Sequence, residues 1–195
     1  MATKTFENLN KEKKDQIFNS LLNEFSEYRL SEAQVARIIK NCGIARGSFY
    51  KYFNDINDSY DYVLDVVLHE VHFDVFERIK KEKNNTLNAF YESTIDFINK
   101  IDNSKYRNFY KLYVEYNQYS LKQSNYNYHK LSKDNLILLV DGQKISDFNK
   151  IISVYKFVTM AAHATIKSIL MNEDKNQELS DFKLYLNVIK KGLID

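Results

Sequence analysis

The chain has no proline and only four glycines in 195 residues. Tight turns between strands draw on those two residue types, because glycine supplies positive φ and proline presets the first angle of the turn. A sheet-rich fold of this length needs many such turns. The scarcity predicts an all-α chain with few short connections. The length allows one or two domains with cores of their own. An apolar fraction of 44% and a charged fraction of 28% are ordinary for a soluble globular chain. One cysteine excludes an internal disulfide and fits a reducing, cytoplasmic setting. The opening "MATKTFENLNKEKKDQ" has no apolar stretch of the secretory kind. No run of about 18 apolar residues occurs, so no membrane span or membrane partner is expected. A net charge of +2 leaves the choice of partner to local charge distribution.

Helical spacing begins at Lys11. Ile17, Leu21 and Phe25 recur every four residues, with Phe18 and Leu22 beside them, which predicts a helix over 11–28. Ser31 offers an N-cap to "EAQVARIIKNCG", whose inner face is Val35, Ile38 and Ile39. Gly43 ends that helix by accepting the left-handed conformation. Ile44 anchors the turn, and a very short helix follows over 45–52. Helix, glycine turn and helix form the helix-turn-helix layout, whose second helix lies in the DNA major groove. "GIARGSFYKYF", residues 43–53, suits that role. Gly47 has no side chain to obstruct a close approach. Arg46 and Lys51 reach base edges or phosphates, and the hydroxyls of Ser48, Tyr50 and Tyr52 bond phosphate oxygens. Phe49 and Phe53 face inward. From Ala33 to Phe53 the charges are Arg37, Lys40, Arg46 and Lys51, with no acid among them, as a phosphate-facing surface requires.

A long helix then starts at a cap supplied by Asn54, Asp55 or Asn57 and runs to about Lys83, joining two domains. Further helices are expected at 86–101, 104–123, 127–140, 146–172 and 176–193, about nine in all. The breaks are "NNT" at 84–86 and "VDGQKIS".

The stretch "SEAQVARIIKNCGIARGSFYKYFNDINDSYDYV" resembles the DNA-binding region of the TetR family of transcriptional regulators. The resemblance is carried by the pattern of the second helix, the glycine after it, the Arg-Gly-Ser-Phe-Tyr run and the Tyr-Phe pair. It implies an all-helical homodimer: a three-helix helix-turn-helix domain over 1–54, then a helical domain over 55–195 for dimerisation and effector binding. By position, Arg46, Gly47 and Ser48 fall where the family contacts bases. Tyr50, Lys51 and Tyr52 fall where it grips phosphates or neighbouring base edges. Gln34 and Arg37 fall where the second helix meets the backbone. The sequence departs from the family at Ile56, where many members carry a phosphate-holding lysine. Asp55 beside it repels phosphate.

Beyond that region, pattern alone speaks. In "SDFNKIISVYKFVTMAAHATIKSIL" apolar residues cover much of the circumference, and the last helix carries a stripe through Phe182, Leu186 and Ile189. Tyr155, Val158, Ala162, Ile166, Phe182, Leu186 and Ile189 either build a four-helix bundle across a two-fold axis or close the core of one chain. The resemblance favours the dimer. Tyr91, Phe97, Phe109, Tyr110, Tyr113 and Tyr116 either wall an effector pocket, with Asp96 or Glu115 as counter-charge, or pack a core.

Other chemistry finds little support. "HEVH" places His69 and His72 three residues apart, not the four of a zincin helix, and no third ligand is apparent. No metal, cofactor or catalytic constellation is expected. Cys42 reads as a small buried residue. The sequence thus favours a repressor released from a near-palindromic operator by a small-molecule effector. The alternative is a protein-interaction adaptor on the same fold, with DNA binding secondary.

Overall fold

The computed structural model describes residues 2–71, 75–117 and 136–194. They form ten α-helices and one small hairpin: α1 (Lys4–Glu7), α2 (Lys11–Glu27), α3 (Val35–Cys42), α4 (Arg46–Tyr52), α5 (Ile56–Val71), α6 (Val75–Lys81), α7 (Thr86–Asp102), α8 (Arg107–Leu112), β1 (Leu139–Val140), β2 (Gln143–Lys144), α9 (Phe148–Leu170) and α10 (Lys175–Ile194). A π-helical turn, Tyr113–Asn117, continues α8. The all-α expectation holds, and α1 is the helix that periodicity did not predict. The helix expected to reach Lys83 is described as α5 and α6, with 72–74 outside the described residues. Most of the helix expected at 127–140 also lies outside them, and its end is strand.

The described residues divide into two compact units, 2–71 with 103–117 and 75–102 with 136–194. The expected boundary at 54/55 runs inside the first unit.

In the first unit α2 packs against α3, α5 and α8, and α4 packs against α3 and α1. Asn10 starts α2 by accepting the Lys13 N–H at 2.8 Å. Ile17, Leu21, Phe25, Ile38, Phe49, Phe53, Tyr60 and Phe109 are fully buried. Burying a side chain of this size contributes about 1.5–3 kcal/mol, so α2 is the spine of the unit. Of the three candidate caps for α5, Asp55 holds the position, accepting the Asp58 N–H at 2.8 Å.

In the second unit α7, α9 and α10 pack on one another, with α6 on α7 and β1 against α7 and α10. Their shared core includes Leu87, Phe90, Leu138, Val140, Ile151, Tyr155, Val158, Phe182 and Leu186. Asp147 caps α9 through the Asn149 and Lys150 N–H groups, and Asp174 caps α10 through those of Asn176 and Gln177. The "VDGQ" break is a hairpin turn, with Asp141 at φ 49° and Gly142 at φ 78° and Val140 paired with Gln143. Positive φ at both central residues gives the turn a twist that matches two antiparallel strands. Buried Thr86 ties the hairpin to α7: its Oγ1 accepts the Leu139 N–H at 2.8 Å and donates to the Ile137 carbonyl at 3.2 Å.

This packing corrects the reading of the apolar stripe as a dimer surface. Tyr155, Val158, Ala162, Ile166, Phe182 and Leu186 are buried within the single chain, and Ile189 packs against the same core. Their periodicity marks the inner face of α9 and α10. The exposed apolar residues of these helices are others: Phe157 (57% exposed), Met160 (70%), Leu184 (57%), Tyr185 (48%) and Val188 (62%).

Candidate nucleic-acid interface

The turn between α3 and α4 has the expected geometry. Gly43 stands at φ 61°, ψ 36°, and the Ile44 N–H reaches back to the Ile39 carbonyl at 3.2 Å. A residue with a Cβ is strained there, and glycine is not. Phe49 and Phe53 are fully buried, and they fix which face of α4 looks outward. On that face Arg46, Gly47, Tyr50 and Lys51 are exposed, with Ser48 and Tyr52 half-buried. Arg46 lies along the Tyr50 ring, its Nη2 donating to the hydroxyl at 3.4 Å. The two side chains steady each other one helical turn apart.

Gly47 is helical, and an added Cβ there meets nothing within 4 Å. No neighbour among the described residues requires a glycine at this position, and glycine is a poorer helix former than alanine. A cleft of about 420 Å³ opens between the starts of α3, α4 and α5, lined by Ala33, Gln34, Val35, Ala36, Arg46, Tyr50, Asp55 and Ile56. Ile56 therefore lines the same concavity as Arg46.

Gln34 is exposed at the start of α3, on the rim of this cleft. Arg37 is placed differently. Its Nε lies 3.0 Å from both oxygens of Glu24 and its Nη2 2.6 Å from Oε1, while Nη2 also donates to the Glu32 carbonyl. The Tyr28 ring lies 3.8 Å from its Cζ. Hydrogen bonding to Glu24 raises the Arg37 pKa further. Glu24 is itself buried, with its side chain 2% exposed, and it accepts the Gln34 N–H at 2.7 Å. The carboxylate of α2 thus does for α3 what Ser31 was expected to do. Gln34, not Ser31, is the residue before the first turn, and it makes no side-chain cap bond. Arg37 spends its guanidinium on the fold. The signal for this was an acid, Glu24, set inside an apolar stripe between Leu21 and Phe25.

The aromatic candidates fall into both units. Phe109 and Tyr110 are buried in the first unit, where Tyr113 and Tyr116 are half-buried. The Arg29 guanidinium lies 3.7 Å over the Tyr116 ring, and buried Asn117 donates to the Tyr60 hydroxyl at 3.1 Å. Burial holds the Tyr60 and Tyr110 hydroxyls protonated far above their usual range. Tyr91 and Phe97 belong to the second unit, where Tyr91 stacks on Phe182 and lines a cleft of only about 60 Å³. Asp96, a candidate counter-charge, is paired with Arg78. Cys42 is fully buried, and burial pushes its thiol up, away from the reactive thiolate. His69 is exposed on α5, and His72 lies outside the described residues. Among the described residues no three His, Cys, Asp or Glu side chains stand close enough to share a metal. No helix among them is long and apolar enough to cross a membrane.

No protein-family model matches the sequence, and no curated protein matches it. Solved structures similar to the chain over nearly its whole length include the following two. One is a TetR family transcriptional regulator from Chloroflexus aurantiacus J-10-FL, 17% identical, with 98% of each chain covered and a TM-score of 0.48. The other is a TetR transcriptional regulator from Rhodococcus sp. RHA1, 10% identical, with 94% of this chain and 99% of that chain covered and a TM-score of 0.42.

Proposed function

We propose that this chain is a sequence-specific DNA-binding transcriptional regulator of the TetR type, acting as a homodimeric repressor that a small-molecule effector releases from a near-palindromic operator. The observation that carries the reading is Gly47, a poor helix former on the exposed face of α4 that no neighbour among the described residues requires. Its absent side chain serves an approach from outside, flanked by Arg46, Ser48 and Lys51. A duplex groove meets those requirements, with Arg46 offered to a base edge, and Lys51 and the hydroxyls of Ser48, Tyr50 and Tyr52 to the backbone. Gln34 on the cleft rim faces the same backbone. Arg37 holds α3 in place and is not among the proposed contacts.

In a dimer, two α4 helices enter successive major grooves about one helical turn apart. The partner surface is the exposed apolar face of α9 and α10. Effector release has a route within the first unit, because α8 lies on α2 and Tyr116 of the π-helical turn that continues α8 sits under Arg29, just past the end of α2. An effector that favours another arrangement of that turn shifts the DNA-reading helices by its difference in affinity for the two states. The test is selection of bound duplexes from a random library. An inverted repeat is the expected product. A chain that enriches no sequence at modest salt, yet captures a protein partner, is the adaptor instead.

A further inference from the structure

Thr3 and Phe6, in the segment before α2, make contacts with the end of the proposed recognition helix that sequence reading did not assign. An isolated helix of seven residues such as α4 is too short to be stable in water. Its last carbonyls also lack partners within the helix. Thr3 supplies two: its hydroxyl donates to the Lys51 carbonyl at 2.6 Å, and its N–H donates to the Tyr52 carbonyl at 3.0 Å. The same hydroxyl accepts the Phe6 N–H at 3.4 Å, which makes Thr3 the N-cap of α1. One oxygen therefore joins the C-terminal end of α4 to the N-terminal end of α1, where the two partial helix charges attract. Phe6 completes the joint. It is buried, with its ring centroid 5.8 Å from Tyr52, 5.1 Å from Phe53 and 5.0 Å from Tyr62.

We infer that Thr3 and Phe6 are positioning residues for α4: they hold the end that carries Lys51 and Tyr52 at a fixed angle to the bundle. The link to DNA affinity rests on the regulator reading above, while the clasp on α4 does not. Only the docked form of α4 presents its face to a groove, so affinity falls with the docked fraction.

The test pairs Thr3→Val with Thr3→Ser in the full chain and reads two quantities. Amide hydrogen exchange at the end of α4 reports opening, and titration of a duplex recovered by selection reports affinity. Thr3→Val keeps the shape and removes both hydroxyl bonds. Exchange at Tyr52 and Phe53 is expected to rise about five-fold, the factor carried by one net hydrogen bond, and affinity is expected to fall by up to the same factor. Thr3→Ser is expected to restore both. Phe6→Leu, which keeps an apolar pin of other shape, is expected to change both in the same direction. Unchanged exchange in Thr3→Val overturns the clasp, and so does a rise shared equally by α2 and α5, which signals general loosening. Faster exchange at α4 with unchanged affinity overturns the positioning role. A wild-type chain that binds no duplex sinks the regulator reading alone, since the exchange measurement still judges the clasp.

Discussion

Individual residues divide here into those that serve the fold and those that serve a partner, and substitution separates them. Gly47→Ala fits the space available and replaces the poorer helix former. It is expected to stabilise the chain modestly, by no more than the helix-interior difference of about 0.5–1 kcal/mol, because the position is in the first turn of α4. If a duplex closes on that position, the added methyl meets DNA and affinity falls. Thermal melting and fluorescence anisotropy would then move in opposite senses, and affinity that does not fall would remove the main support for the interface. Arg46→Ala is expected to cost about 1–3 kcal/mol of binding and to relax base preference at one position. Arg37→Ala makes the contrasting case. It leaves the buried Glu24 carboxylate without its guanidinium, and a buried charge stripped of its partner destabilises the fold. Binding should weaken through lost fold, with the slope of log affinity against log salt unchanged. A phosphate contact would instead lower that slope by about one.

At the level of elements, the turn and the two helices around it were legible because their determinants are local. The four-residue recurrence of Ile17, Leu21 and Phe25, the glycine after α3 and the paired phenylalanines of α4 each carry their own physics. Gly43→Ala tests the turn: forcing a Cβ into φ 61° is expected to cost about 1–2 kcal/mol, seen as a lower midpoint in chemical denaturation. Gly43→Asn should lose less. What escaped the sequence was whatever depends on a distant partner. Ser31 looked like the cap of α3, but Glu24 on another helix supplies the acceptor. Arg37 looked like a phosphate contact, but the same carboxylate holds it. The Asp-Gly pair at 141–142 is a strong hairpin signal, yet strands of two residues show no alternation to read. The clasp of α1 on α4 depends on backbone carbonyls, which leave no trace in side-chain pattern. Along α9 and α10, periodicity announced an apolar stripe without saying what covers it, and the chain's own core does. Spacing along the sequence likewise did not reveal that the aromatic candidates divide between two units.

For the whole molecule, the consequence of that correction is a different proposed dimer face. With the inner stripe consumed, Phe157 and Met160 on α9 and Leu184, Tyr185 and Val188 on α10 remain outside, at spacings that put each set on one helical face. α9 and α10 pack together in the same unit. Exposed large apolar side chains clustered on two packed helices fit an association site. In the proposed dimer, two helices from each of two copies, related by a two-fold axis, would cover it as a four-helix bundle. Met160→Glu combined with Val188→Glu places charges on that face and none in the core, so a folded monomer is expected by light scattering after size exclusion, with its helical circular dichroism retained. Phe182→Ala acts on the other side of the same helix and should lower the melting temperature instead. A monomer presents one α4 where an inverted repeat offers two half-sites. Tethering the second site raises affinity by orders of magnitude, so the double variant should lose far more affinity for the full inverted repeat than for a single half-site. Equal losses on both would mean that the substitutions damaged reading itself, and a variant that still runs as a dimer would place the symmetric contact on some other surface.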